Sequence, residues 1–174
     1  MNSSKRSSTR VEWVQLLPGI GRVAVELYCT RYSNGLEEEL RSAWDRGVLA
    51  SIIPARLAKS YCAWEIASTI LAVYTTRIQG YGIARNPGID VLLYLAGQRN
   101  IAKVLEEYAP RPGEHVVIAL AYSIKAGEAV PRPSERLEPV ENCVDTECSH
   151  YRSRVTRLAV FPIEERIYRF SETL

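Results

Sequence analysis

The chain has 174 residues, 47% of them hydrophobic, and a formal net charge of +2. That length suits one domain with an ample core, and the charge balance excludes the broad basic face of a protein that binds nucleic acid along its whole surface. No apolar run approaches about 18 residues, so no segment is read as crossing a membrane.

Residues 1–10 (MNSSKRSSTR) are polar and charged, with no apolar stretch behind them. They read as a disordered tail rather than a signal peptide, and the expected location is cytoplasmic. Residues 11–174 are expected to form a single domain. VEWVQLL (11–17) and VAVELYC (23–29) read as strands of a hairpin, with Pro18, Gly19 and Gly21 supplying the turn. In the second strand Val23, Val25 and Leu27 alternate with Ala24, Glu26 and Tyr28. Residues 36–45 read as a short helix: Asn34 and Gly35 precede it, acids crowd its first turn and Gly47 ends it. Residues 48–53 are a short extended run. Residues 54–79 form the longest helical stretch, apolar nearly all round, which predicts a central helix covered on several sides.

The clearest local signals lie at 82–108 (GIARNPGIDVLLYLAGQRNIAKVLEEY). Asn86 ahead of Pro87 reads as an N-cap, Asp90 suits the positive end of the helix dipole, and Gly97 is a natural stop. Asn100 can cap a second helix in which Ile101, Val104, Leu105 and Tyr108 recur on one face. Pro110, Pro112 and Gly113 then break the chain, and EHVVIALAYS (114–123) reads as a central strand. Residues 126–151, with Pro131, Pro133 and Pro139 among charges, read as a long loop. Residues 155–161 read as a strand, and Pro162 opens a last helix. The order β-β-α-β-α-α-α-β-β-α predicts an α+β fold, a largely antiparallel sheet packed against a cluster of helices in a single two-layer domain.

No catalytic constellation is legible. His115 reads as a structural histidine at the edge of a strand; the alternative is a small-molecule or nucleotide-binding enzyme that uses it. Cys29 and Cys62 read as small buried residues. Cys143 and Cys148 read most simply as two surface thiols; a local disulfide between them or a metal site with His150 are the other readings. No metal or cofactor is expected. Arg outnumbers Lys 18 to 4. Arg56, Lys59, Arg77, Arg85 and Arg99 lie on or beside the central helices, with Tyr81 in the loop between them. Converging, they would form a cationic patch with an aromatic for stacking; dispersed, they are solubilising charge, the simpler reading.

The block IDVLLYLAGQRNIAKVLEEY (89–108) resembles the small kinase-binding subunit of the KEOPS complex, the TPRKB-like family in its archaeal form. Members show an acidic residue, a leucine-rich helix, a small residue with glycine, a Gln-Arg-x-Ile turn and a second amphipathic helix. The resemblance spans about 52–123. Asp90 stands where Glu is usual, Ala109 stands where Gly often follows the helix, and the 126–151 loop has no counterpart. The resemblance implies a non-catalytic regulatory subunit of the complex that makes threonylcarbamoyl-adenosine in tRNA. Such a subunit binds and supports a kinase-like ATPase and recruits tRNA through its 3′ CCA end. The residues expected at the kinase contact are Leu93, Gln98, Arg99, Asn100 and Ile101. Those expected at tRNA are Arg56, Lys59, Arg77, Tyr81 and Arg85.

Overall fold

A computed structural model of the chain describes residues 8–125, 130–131, 133 and 136–148. Residues 1–7 of the tail expected at 1–10, His150, the strand at 155–161 and the last helix lie outside the described residues, and Arg10, the last residue of that tail, opens the first strand instead. Four strands form one antiparallel sheet: β1 (Arg10–Leu17), β2 (Gly21–Arg31), β3 (Val48–Pro54) and β4 (His115–Ser123), in the order β1-β2-β4-β3. Among the described residues, five α-helices accompany them: α1 (Asn34–Leu40), α2 (Ala55–Ala58), α3 (Ala63–Ile78), α4 (Pro87–Ala96) and α5 (Ile101–Tyr108). The chain is an α+β protein.

β2 and β4 are central because they are apolar on both faces. Val23, Val25 and Leu27, with Ala119 and Ala121 of β4, face α3 and α4. The small side chains of Ala119 and Ala121 let the helices sit close to the sheet. On the other face Ala24, Tyr28, Ile118, Leu120 and Tyr122 pack against Leu36 and Leu40 of α1. The alternation seen in β2 is therefore not the alternation of a half-solvated strand. Glu26 faces the α1 side and is only 1% exposed. It accepts hydrogen bonds from the hydroxyls of Tyr28 (2.6 Å) and Tyr122 (2.9 Å) and from the Arg10 guanidinium (3.3 Å). A carboxylate with three donors, one of them charged, tolerates such burial.

Two sequence expectations are corrected. The stretch 54–79 is not one helix. It breaks between α2 and α3, where Cys62 is extended (ψ 162°) and serves as the α3 N-cap, its N–H donating to Glu65 Oε2 at 2.8 Å. Tyr61 turns its hydroxyl to the Leu95 carbonyl at the end of α4. The 36–45 helix is likewise shorter: Ser33 caps α1, which ends at Leu40, and a separate 3-10 turn covers Trp44–Arg46.

The cysteines are also reassigned. Cys143 is fully buried and bonded to Cys29, and Cys148 is bonded to Cys62, with sequence separations of 114 and 86. Neither Cys143 nor Cys148 is a surface thiol, and they do not pair with each other. The segment 136–148 is a strap across the domain. Glu138 N–H donates to the Cys29 carbonyl at 2.8 Å, Val140 N–H to the Ser8 carbonyl at 3.0 Å, and the Asp145 carbonyl accepts from Ala63 N–H at 2.8 Å. Each thiol of the strap thereby comes beside a thiol of the body.

Candidate functional site

The α4–α5 turn is built by caps that the sequence spells out. Asn86 accepts from Gly88 N–H at 2.9 Å, with Pro87 in the first helical turn. At the other end Gln98 N–H donates to the Leu93 carbonyl (3.1 Å) and Gly97 N–H to the Tyr94 carbonyl (3.2 Å). This pair of bonds is a Schellman closure, and it requires the left-handed backbone that Gly97 adopts at φ 62°. Asn100 then accepts from Lys103 N–H at 3.1 Å and starts α5.

The expected kinase-contact residues separate into two groups. Gln98, Arg99 and Asn100 lie at the apex, with Arg99 and Asn100 exposed and Gln98 and Ile101 half-buried. Leu93 is fully buried. Its carbonyl anchors the turn, so it supports the surface and cannot be part of it.

The expected tRNA residues do not converge. α3 has 16 residues and is about 24 Å long. Lys59 lies ahead of its N-terminus, at the end where Tyr61 meets Leu95 and the α4–α5 turn. Tyr81 and Arg85 follow its C-terminus. Two of the five are occupied internally. The Arg56 guanidinium pairs with Glu114 and donates to the carbonyls of Glu107 (3.0 Å) and Ala109 (2.9 Å) at the C-terminus of α5. Arg77 pairs with Asp90 and donates to the Ala84 carbonyl. Both guanidiniums clasp neighbouring elements, Arg56 while remaining exposed and Arg77 largely buried. Lys59 and Arg85 are exposed, and their side chains make no hydrogen bond or ion pair with the other described residues; Tyr81 is 41% exposed.

Asp90 was legible as an acid in the first turn of a helix, but its role was not. It is 2% exposed and accepts from Ala84 N–H (2.7 Å) and Ile83 N–H (3.3 Å) as well as from Arg77. Burial raises its pKa above the ordinary carboxylate value, against the opposing pull of the Ala84 amide and the Arg77 charge. Gly82, two residues from Ala84, is the one signal that pointed here. A side chain at that position would run into the Arg77 guanidinium.

His115 hydrogen-bonds through Nε2 to Glu138 at 2.8 Å, and Arg31 reaches the same carboxylate at 3.2 Å. Hydrogen bonds from Asn142 and His115 hold the Glu138 carboxyl below its ordinary value. These contacts tie the strap to the sheet edge. Clefts open on the described surface at two places near these elements. One is lined by Thr30, Arg31, Arg136 and Glu138, the other by Glu37, Arg41, Asn86 and Ile89 between α1 and α4. His115 lines neither.

No family model matches the sequence, and no curated protein matches it. No helix among the described residues is long and apolar enough to cross a membrane.

Proposed function

We propose that the chain is a non-catalytic subunit of the KEOPS tRNA-modification complex. In this reading it docks the kinase-like ATPase subunit through the turn at 98–101 and receives the 3′ CCA end of tRNA at the loop 81–85. The observation that carries the reading is the doubly capped α4–α5 turn. It presents Gln98, Arg99 and Asn100 on a rigid base of buried leucines, in the order the resemblance leads one to expect. Rigid apices with buried flanks suit docking, because little ordering remains to be lost on association. A cytoplasmic location is compatible with two disulfides in the cytosol of a hyperthermophile, where such bonds persist.

Capture of the purified kinase-like subunit tests the docking face. Ile101→Glu places a charge at the half-buried base of the turn and is expected to weaken capture at least tenfold while the far-ultraviolet circular dichroism stays native. A folded Ile101→Glu protein that captures the kinase as well as the native chain does would refute this assignment.

A further inference from the structure

The loop that carries Tyr81 and Arg85 is shaped from within by two charged residues. The end of α3 closes on it through Gly80 N–H to the Arg77 carbonyl (3.0 Å) and Tyr81 N–H to the Thr76 carbonyl (2.9 Å). Arg77 then folds its guanidinium back under the loop, donating at once to the Ala84 carbonyl and to Asp90 on α4. Asp90 in turn holds the N–H groups of Ile83 and Ala84. Gly82 leaves the space through which the Arg77 side chain passes. Residues 83 and 84 are thus gripped from the helix before and the helix after, and Tyr81 and Arg85 on either side of the grip are exposed.

We propose that Arg77 and Asp90 are positioning residues for a single-stranded nucleic-acid end: they fix the separation between Tyr81, which stacks a base, and Arg85, which holds a phosphate. The inference rests on the tRNA reading above. A base and its phosphate present a ring face and an anion, so a loop whose backbone is already held in one shape binds with a smaller ordering cost. The arrangement also explains why a chain with net charge +2 would devote Arg77, a residue well suited to phosphate, to an interior contact.

Binding of tRNA with an intact CCA end, measured across salt concentrations, separates the roles. Arg85→Gln is expected to weaken binding and to reduce the log–log salt slope by about 0.7, the loss of one single-strand phosphate contact. Arg77→Met is expected to weaken binding about tenfold with the slope unchanged. Amide exchange at Ile83 and Ala84 should become at least tenfold faster in that variant while β4 amides stay protected. Arg77→Lys, which keeps the charge beside Asp90, should restore part of the affinity. A salt slope reduced in Arg77→Met as much as in Arg85→Gln would make Arg77 a direct contact and overturn the proposal. So would faster loop exchange with native affinity. If the native protein binds tRNA no better with its CCA end than without it, the tRNA reading fails along with the proposal, while the exchange data still report whether the pair grips the loop.

Discussion

Tyr28 shows how one buried carboxylate sets the behaviour of its neighbours. Its pKa is pushed up to about 12, first by burial and then by its hydrogen bond to the Glu26 carboxylate. The neutral phenol is the form the fold prefers. The stability it contributes is therefore complete below its ordinary value of 10.0 and is lost as pH rises through about 12. Tyr28→Phe is expected to lower stability at neutral pH by about 1–3 kcal/mol, because Glu26 loses a donor. It should also make the alkaline loss shallower by about one proton between pH 10 and about 12, as read from urea midpoints. Tyr32, raised to about 12 chiefly by its hydrogen bond to Glu37, still contributes to the remaining loss, as do Tyr74, raised by burial, and Tyr108, raised chiefly by its hydrogen bond to Glu107. An unchanged alkaline slope would show that Tyr28 titrates normally. None of this was legible in VAVELYC, where Glu26 has the spacing of a solvent-facing residue. Its burial depends on Tyr122, 96 residues away.

Among the elements, α4 is the one most tightly placed. Its first turn lies on the edge of β3, where Ser51 Oγ donates to the Gly88 carbonyl at 2.8 Å. A Cβ at Gly88 would collide with the Ala50 carbonyl, and Ser51 Cα stands 3.3 Å away. Backbone atoms cannot swing aside as a long side chain can, so Gly88→Ala is expected to cost about 1–3 kcal/mol. A denaturation midpoint equal to that of the native protein would show that α4 can slide along β3. The limits of α4 and α5 were readable because Asn86, Pro87, Gly97 and Asn100 act on groups within a few residues of themselves. The break at Cys62 was not: beside the local cap by Glu65, it is held by bonds from Ala63 to Asp145 and from Tyr61 to Leu95, both far away in sequence.

At the scale of the molecule, the two disulfides decide how firmly the 136–148 strap is held. They close separations of 114 and 86 residues, and loops of that size imply about 2–5 kcal/mol each. Full reduction is expected to lower the melting temperature by 10 °C or more, in keeping with about 2–4 °C per kcal/mol for a chain of this size. Cys29 and Cys143 are both fully buried, whereas Cys148 is half-buried. Mild reduction followed by alkylation should therefore label Cys62 and Cys148 before Cys29 and Cys143, as read by peptide mass. Simultaneous labelling of all four would mean that the strap leaves the body as one unit.

The amino-acid sequence by itself determined the α+β class, the four described strands, the two caps of the α4–α5 turn and the central place of EHVVIALAYS. Each of these follows from local periodicity or from a side chain acting on its own neighbourhood. Only the tertiary structure decided the cysteine pairing, the burial of Glu26, Leu93 and Asp90, and the fate of the basic residues. Arg56 and Arg77 look like Arg85 in sequence, but the fold brings the first two against Glu114 and Asp90 and leaves the third in solvent. The physical reason is that an ion pair depends on separation in space, and residues 56 and 114 become neighbours only when α2 meets β4.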